Sequence, residues 1–289
     1  MPDQHQVFDL AEVNSAIAAT EFAGSIKYFS TVTSTNDLAH QAAHAGARHG
    51  VWIADEQTAG RGRGTHTWHS APGSPQEPAG LYMTALISPP IPMQSALGLS
   101  FRVAIAVQAA IASIAGFRIR DQIDIRWPND LLLNGCKCGG ILIDTASTPA
   151  APPLPAMLRY AILGIGINLN HTTFPPGLDP IATSLRRELP DPSQPLRREP
   201  LAAAILIALD EEIRALSTNN QQPATNNLAR FSTWIQNKRV RVEPRDPDPQ
   251  NPTASYTGTT AGLDAYGFLL VQGDDGQLHT VLSGGLREP

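Results

Sequence analysis

The sequence predicts an α+β protein in which a larger domain of strands and helices precedes a small β-barrel. Apolar, β-branched runs typical of strands recur between residues 26 and 168, and segments with helical spacing of apolar residues lie among them. The pattern changes near Trp234, where short alternating strands follow one another with Gly and Asp turns between them. We therefore predict a larger domain over residues 1–235 and the barrel over residues 236–289.

Apolar periodicity and turn residues define the elements of the first half. Helices are predicted over residues 7–19, from 35 towards 46 and over 97–115, and strands over 26–29, 51–55, 81–87 and 123–127. The last of these strands ends at Pro128, because proline cannot continue a central ladder. Asn134-Gly135 lies between two apolar runs and predicts a hairpin whose second strand covers residues 138–144.

The second half begins with a segment rich in Ala and Pro, residues 145–155, which we expect to be a solvent-exposed loop. Gly164 and Gly166 lie in the next predicted strand, where they either leave room for a ligand or mark a bulge; by themselves they favour the bulge. A proline-rich loop is predicted over residues 171–200 and a core helix over 201–216. Four short strands are predicted over residues 239–242, 256–259, 268–271 and 278–281.

A loop rich in glycine and arginine follows the strand at residues 51–55. It alternates glycine, which allows close backbone approach, with arginine, whose planar guanidinium suits carboxylate or phosphate, over Gly60-Arg61-Gly62-Arg63-Gly64. The pattern predicts an anion-binding arm at the edge of a rigid sheet; the alternative is a solvated basic loop without a ligand. No Gly-Lys-Ser/Thr occurs, and Thr65 stands where a dinucleotide fingerprint needs glycine, so neither familiar phosphate motif fits.

The hydroxyl and amide residues Ser34-Thr35-Asn36 open the second predicted helix. They are either an ordinary N-cap or the lining of a small polar pocket suited to a ureido or amide ligand. His40 and His44 lie four apart without a third ligand, so we expect surface residues rather than a zinc site. No Ser-His-Asp or Cys-His arrangement indicates a nucleophilic side chain.

Composition limits the function classes. A formal net charge of -5 and a pI near 5.9 argue against a general nucleic-acid or membrane-surface binder. Cys136 and Cys138 are too poorly placed for a mutual disulfide, which indicates a reduced, cytoplasmic protein. The N-terminal residues lack the pattern of a signal peptide. The apolar run over 97–117 contains Arg102 and Gln108, which favours a buried helix over a membrane span.

Taken in order, these segments resemble biotin protein ligases of the type without a DNA-binding domain. The resemblance covers nearly the whole chain and rests on Ser34-Thr35-Asn36, Gly60-Arg61-Gly62-Arg63-Gly64 with Trp68, Trp127-Pro128-Asn129-Asp130-Leu131, Lys137 with Gly140-Ile141-Leu142, and Gly164-Ile165-Gly166-Ile167-Asn168-Leu169. It implies a mixed-sheet biotin/lipoate ligase-like catalytic domain with a small C-terminal SH3-like β-barrel. It also implies that biotin and ATP form biotinyl-AMP, from which biotin passes to a carrier lysine.

Site residues follow from the same resemblance. The implied biotin site consists of Ser34, Thr35, Asn36, Gln57, Gly60, Arg61, Gly62, Arg63, Lys137 and Gly140. The implied ATP site consists of Arg63, Trp68, Asn129, Asp130, Lys137 and Asn168. Mg²⁺ would accompany ATP near Asp130, with no dedicated metal site and no prosthetic group. Arg63 and Lys137 are the expected catalytic cations, because attack of a carboxylate on the α-phosphorus brings two anions together.

The expected acceptor is the biotin carboxyl carrier protein of acetyl-CoA carboxylase or of another biotin-dependent carboxylase. We expect no nucleic-acid or membrane partner, and a homodimer is left open. Three departures from the family stand out: Gly64-Thr65-His66 replaces further Arg and Gly, residues 71–78 replace a shorter turn, and Gly285 stands where relatives often carry an acidic residue. The departure at Gly285 leaves the part of the barrel in catalysis open.

Three other functions are alternatives to this interpretation. A biotin-responsive repressor would need a winged-helix domain, for which the roughly thirty residues before the first motif are too few. A lipoate or octanoate transferase shares the fold, but its aliphatic ligand would leave the polar Ser34, Thr35, Asn36 and Gln57 without partners. A non-catalytic biotin-binding protein would not need Asn129, Lys137 and Asn168.

Overall fold

Two β-sheets organise the chain in the computed structural model, which describes residues 8–70, 73, 79–115, 122–150, 154–217, 234–243, 255–264, 267–282 and 284–289. The first sheet has seven strands in the order β1-β2-β3-β7-β6-β5-β4. Their bounds are β1 Ile26–Val32, β2 Gly50–Gln57, β3 Gly80–Ile87, β4 Ile123–Arg126, β5 Asp130–Leu133, β6 Cys136–Ser147 and β7 Leu158–Asn168. Only β1 and β2 pair in parallel, so the sheet is mixed as predicted.

Helices cover both faces of this sheet. Their bounds are α1 Leu10–Ala16, α2 Thr35–His44, α3 Leu99–Ala115, α4 Leu185–Glu188 and α5 Arg198–Ser217. The main core packs α1, α3 and α5 against one face, where Val51 and Ile53 of β2 point. Trp52 points the opposite way and packs with Ala39 and Ala43 of α2. This alternation places the even-numbered residues of β3, β6 and β7 on the α2 face.

The second sheet is antiparallel and contains the C-terminal strands in the order β11-β10-β9-β8-β12. Its strands are β8 Gln236–Glu243, β9 Tyr256–Leu263, β10 Leu269–Gly273, β11 Leu278–Val281 and β12 Gly285–Arg287. The C-terminal segment contacts the larger domain where the Trp127 indole N–H donates to the Gly267 carbonyl at 3.3 Å and where Arg63 donates to the Gly284 carbonyl. The division at residue 235 stays a prediction.

Most predicted elements are present, and the differences have local causes. The helix expected over 97–115 begins at Leu99, because a 3₁₀ turn over Met93–Gly98 precedes it. β6 extends to Ser147, into the expected loop, because it pairs with β7 as far as Leu158. The region 171–200 is not all loop, since it contains α4 and the start of α5. Alternation did not reveal β12, which has only three residues.

Two expectations about the sheet are wrong. β2 is not an edge strand, because it lies between β1 and β3, and the arginine loop therefore leaves the end of a paired strand. Gly164 and Gly166 mark no bulge, because both keep regular register with β3 and β6. The 71–78 insertion lies outside the described residues apart from Gly73. No described helix is long and apolar enough to cross a bilayer.

Candidate functional site

A cavity of about 620 Å³ opens on the α2 face of the first sheet. Of the predicted site residues, it is lined by Ser34, Thr35, Asn36, Gln57, Arg61, Gly62, Arg63, Trp68, Asn129, Asp130, Lys137, Gly140 and Asn168. Gly60 does not line it. A Cβ at Gly60 would lie 2.6 Å from the Trp68 carbonyl oxygen and 2.8 Å from Ser70 Oγ, so this glycine lets the two ends of the loop meet.

The polar residues at the start of α2 form the buried end of the cavity. Ser34, Thr35 and Asn36 are 1%, 3% and 5% exposed. Ser34 is the N-cap of α2, but its side chain makes no capping hydrogen bond and lines the cavity instead, so the N-cap and the pocket interpretations both apply to this residue. The Thr35 backbone N–H instead donates to Gln57 Oε1 at 2.9 Å. The Asn36 amide nitrogen is buried and has no hydrogen-bond partner among the described residues.

The arginine loop is a short hairpin rather than an open arm. The Gly62 N–H donates to the His66 carbonyl at 2.8 Å and the Trp68 N–H to the Gly60 carbonyl at 2.9 Å. Gly64 turns the chain with φ +66°, a value that favours glycine. A Cβ at Gly62 would lie 3.1 Å from the His66 carbonyl oxygen. The glycines are therefore needed for the turn and for close packing of its two arms.

The two loop arginines point in different directions. The Arg61 guanidinium donates to Asp37 of α2 at 3.2 Å and lies 3.9 Å from Asp144 of β6. Arg63 donates to the carbonyl oxygen of Gly284, just before β12. Both arginines still line the cavity. The loop is thus connected to the sheet through Arg61 and to the C-terminal sheet through Arg63.

The Trp68 indole packs on a glycine floor. Gly140 of β6 and Gly166 of β7 are register partners. A Cβ at Gly166 would lie 2.6 Å from Trp68 Cε2, and one at Gly140 would lie 3.0 Å from Trp68 Cζ3. These glycines leave space above the sheet, the interpretation that the sequence alone disfavoured. The indole N–H is buried without a hydrogen-bond partner among the described residues.

Lys137 stands beside this floor with its ammonium fixed on two sides. Its Nζ lies 2.5 Å from Asp130 Oδ1 and 5.5 Å from the ring centroid of Trp68. The other oxygen of Asp130 accepts from Arg126 at 2.6 Å. Burial of Asp130 acts to raise its pKa, but Lys137 and Arg126 outweigh this effect, and the pKa lies below its usual value. Asp130 is therefore a carboxylate that holds two cations at the cavity.

The two predicted asparagines bind backbone. Asn129 Nδ2 donates to the Ile141 carbonyl at 2.7 Å, and Asn168 Nδ2 donates to the Thr183 carbonyl at 3.0 Å. Asn168 Nδ2 also lies 3.4 Å from the Lys137 carbonyl. These amides hold the strands and the segment around Thr183 against the residues that line the cavity.

Several cavity residues were not predicted as site residues. They include Arg126, Phe174, Leu178, Ile181, Gly285, Leu286 and Arg287. Arg126 directly precedes the Trp127-Pro128-Asn129-Asp130-Leu131 motif and lies four residues before Asp130, a spacing that could have indicated it. Phe174, Leu178 and Ile181 come from the proline-rich segment, and β12 comes from the far end of the chain. No local pattern connects these segments with the cavity.

The remaining titratable candidates do not form a metal centre. Cys136 and Cys138 are free, as expected, and burial raises the pKa of the Cys138 thiol to about 12. His44 is exposed, whereas His40 Nε2 lies 2.9 Å from Asp144 Oδ2. Over the described ranges no three His, Cys, Asp or Glu side chains are grouped to hold a metal ion. His171 is 5% exposed, and burial together with His69 lowers its pKa to about 4.

Two family models match the sequence. The biotin/lipoate A/B protein ligase family matches residues 28–152, and the biotin protein ligase C-terminal domain matches residues 237–284. The chain is 32% identical to the bifunctional ligase/repressor BirA of Bacillus subtilis over 86% of this chain and 70% of that protein. It is 31% identical to the biotin–[acetyl-CoA-carboxylase] ligase of Mycobacterium tuberculosis over 73% of this chain and 71% of that protein.

Solved structures show the same fold. The biotin protein ligase from Aquifex aeolicus in complex with biotin and ATP superposes with a TM-score of 0.71, covering 92% of this chain and all of that one at 21% identity. Fold and matches together define a protein of the biotin/lipoate ligase class. Within that class the chain belongs to the biotin protein ligase family, and it is an enzyme of that kind.

Proposed function

We propose that this chain activates biotin with ATP as biotinyl-AMP and transfers the biotinyl group to a lysine of a carrier protein. The observation that carries the proposal is the layout of one cavity. A buried amide donor without a partner lies at its α2 end, and the fixed Lys137 ammonium lies beside the glycine floor. The first suits the ureido head of biotin, and the second suits a carboxylate next to a phosphate.

In the first step a biotin carboxylate oxygen attacks the α-phosphorus of ATP. A new P–O bond forms while the bond to the bridging oxygen of pyrophosphate breaks, and pyrophosphate leaves with the electron pair. Lys137 and Arg63 would stabilise the charge that collects on the α-phosphate. The nucleotide would lie on the Asn129, Asp130 and Asn168 side of the cavity, with Trp68 packing near adenine.

Mg²⁺ would enter with ATP and neutralise the leaving phosphates. Asp130 is the nearest expected carboxylate, but both of its oxygens already accept from Lys137 and Arg126. We therefore assign Asp130 to holding these cations, and we propose that the phosphates themselves supply most of the magnesium ligands.

In the second step the amine of an acceptor lysine attacks the acyl carbon of biotinyl-AMP. The bond to the phosphate oxygen breaks, AMP leaves, and the nitrogen loses a proton. The M. tuberculosis and Paracoccus denitrificans relatives are named biotin–[acetyl-CoA-carboxylase] ligases. We propose accordingly that the acceptor is the biotin carrier protein of acetyl-CoA carboxylase and that the reaction takes place in the cytoplasm, in agreement with the two free cysteines.

Pyrophosphate exchange tests the first step. The chain is incubated with MgATP, labelled pyrophosphate and either biotin, lipoate, octanoate or no acid, and label in ATP is counted. We expect exchange with biotin alone. Equal exchange with lipoate would favour the lipoate-type alternative, and no exchange with biotin would favour a non-catalytic binder. Transfer is then tested with a carrier domain and with a variant of it in which the acceptor lysine is replaced by arginine. Biotin should be attached to the unchanged carrier domain and not to the Lys→Arg variant.

A further inference from the structure

Thr84 is a buried polar residue in an otherwise apolar strand, and the proposed chemistry does not use it. Every residue of β3 is buried, and Thr84 is 0% exposed. It lies on the α2 face, directly under the start of that helix. A hydroxyl in such a strand requires hydrogen-bond partners, because burying it without them is unfavourable.

The Thr84 hydroxyl contacts two side chains at the start of α2. Its Oγ1 lies 2.6 Å from Asn36 Oδ1 and 2.8 Å from Thr35 Oγ1. An amide oxygen can only accept, so the single Thr84 proton is donated to Asn36 Oδ1, the shorter of its two contacts, while the Thr35 hydroxyl donates to Gln57 Oε1 at 3.1 Å. This arrangement turns the Asn36 oxygen towards the strand and its nitrogen away from Thr84.

The neighbouring amide is fixed in a related way. A backbone N–H can only donate, so the Thr35 N–H fixes the Gln57 side-chain oxygen, and Gln57 Nε2 donates to Ser70 Oγ at 2.9 Å. Within the part of the chain that the structure describes, the Asn36 Nδ2 group of this network is buried without a hydrogen-bond partner. Leaving a buried N–H group unpaired costs free energy, and a ligand that accepts a hydrogen bond from Asn36 Nδ2 would remove this cost.

Gly164 supplies the space for this orientation. It is the register partner of Thr84 across β3 and β7. A Cβ at Gly164 would collide with the Asn36 side chain, so any larger residue would displace the amide. Two facing positions, one hydroxyl and one glycine, thus form a seat for Asn36.

We propose that Thr84, seated opposite Gly164, is a positioning residue that makes this cavity specific for a ligand with a carbonyl-type acceptor, the ureido oxygen of biotin. Thr84 acts through Asn36 and does not line the cavity. The inference rests on the proposed function and goes further, because it names the pair of residues that selects an acceptor over a donor at the ligand head.

The test replaces the hydroxyl with a methyl group in Thr84→Val and measures affinities by calorimetry. The ligands are biotin, desthiobiotin, which keeps the ureido carbonyl, and 2-iminobiotin, which carries a protonated donor there. One lost orienting hydrogen bond should weaken biotin and desthiobiotin by about tenfold. Affinity for 2-iminobiotin and ATP should not fall, so the biotin to iminobiotin ratio should fall by about tenfold as well. KM for biotin should rise with little change in kcat, and Thr84→Ser should restore the affinity.

Thr260→Val is the matched control, because Thr260 is also buried and accepts from the Lys238 N–H at 3.0 Å in the C-terminal sheet. It should leave biotin affinity unchanged. If Thr84→Val fails to fold, Gly164→Ala tests the same seat from β7 and should give the same loss of selectivity.

Three results would overturn the inference. One is a folded Thr84→Val with the wild-type affinities and ratio. Another is an equal loss for all ligands with a lower Tm, which would indicate a purely structural hydroxyl. A wild-type chain that binds no biotin would overturn the proposed function together with this inference, whereas an unaffected variant of a biotin-binding wild type overturns only the inference.

Discussion

At the scale of single residues, Lys137 illustrates how the cavity prepares a cation. A lysine side chain is flexible, but this ammonium is held by Asp130 at 2.5 Å and lies over the Trp68 ring. Arg126 holds the other oxygen of the same carboxylate. Donors fixed before the reaction need little reorganisation when charge develops, which is the main source of electrostatic catalysis.

Lys137→Ala should therefore affect chemistry more than folding. We expect pyrophosphate exchange to fall by about 10²–10³-fold, the usual effect of losing one well-placed donor. Stability should change little because Arg126 still pairs with Asp130. Lys238→Ala is the control, since this lysine pairs with Glu288 in the C-terminal sheet and should leave exchange unchanged. Comparable losses in exchange and in Tm would contradict the assigned role.

His171 predicts a pH dependence of stability. It stacks on Phe174, and burial with His69 holds its pKa near 4, below the unfolded value of about 6.5. Between these values the unfolded chain binds the extra proton, so stability rises with pH and is lost as pH falls from 6.5 towards 4. The loss should reach about 2 kcal/mol by pH 5.

Urea unfolding at pH 7 and pH 5 measures this dependence. In His171→Leu, which fills a similar volume and does not titrate, the drop between the two pH values should shrink by about that 2 kcal/mol. An equal pH dependence in both proteins would show that His171 is not the responsible group.

At the scale of elements, the paired strands β6 and β7 form the floor of the site. Their facing glycines Gly140 and Gly166 leave room for the Trp68 indole, which the loop hairpin brings over the sheet. The floor therefore requires glycines at facing positions of β6 and β7 and a loop that places the Trp68 indole over them.

Gly166→Ala should displace the indole, because the new methyl would lie 2.6 Å from Trp68 Cε2. If Trp68 packs near adenine, the ATP concentration for half-maximal adenylation should rise by about tenfold, with a smaller change for biotin. The double variant Gly166→Ala/Trp68→Ala should be no worse than Trp68→Ala, giving a coupling of about 1 kcal/mol or more.

Gly177→Ala serves as the comparison for the glycine floor, because a Cβ there meets nothing within 4 Å. Its kinetics should match the wild type. Additive losses in the double variant would mean that Gly166 does not act through Trp68.

At the scale of the whole molecule, the loop connects both sheets. Arg63 lines the cavity and donates to the Gly284 carbonyl, while Gly285, Leu286 and Arg287 of β12 line the same cavity. An acidic side chain at position 285 is not needed for this contact, because a backbone carbonyl accepts from Arg63. The C-terminal sheet thus closes one side of the site in spite of that departure from the family.

Arg63→Ala should release the adenylate early, since it removes both a cation and the contact with the C-terminal sheet. We expect a faster off-rate of biotinyl-AMP and biotin on lysines of an added bystander protein. The chain itself has only three lysines, Lys27, Lys137 and Lys238, against eighteen arginines, so its own labelling should be confined to few sites. Streptavidin blots and peptide mass spectrometry measure both effects.

Arg239→Ala is the control for that release, because Arg239 makes an exposed ion pair with Asp274 away from the loop. It should retain the adenylate like the wild type. An unchanged off-rate of biotinyl-AMP in Arg63→Ala would refute the proposed role of Arg63 in retaining the adenylate.

Most of the helices and strands of this protein, and the residue types of its candidate site, could be predicted from the sequence alone. Periods of two and 3.6, the Asn134-Gly135 turn and the alternating glycines and arginines are local signals, and local backbone preferences follow from them directly. The residues that the family resemblance implied include thirteen that line one cavity, among them the two predicted catalytic cations, Arg63 and Lys137.

How these residues contact one another could be read only from the folded chain. Thr84 contacts side chains at the start of α2, and Gly164 and Gly166 leave room for the side chains of Asn36 and Trp68, which lie far away in sequence. β12 lines the same cavity although it lies at the C-terminal end of the described residues. Such roles depend on contacts between residues distant in sequence, and a single chain carries no periodic signal for them. Glycines that make room and glycines that bend a strand are identical in sequence, and only the neighbour above the sheet distinguishes them.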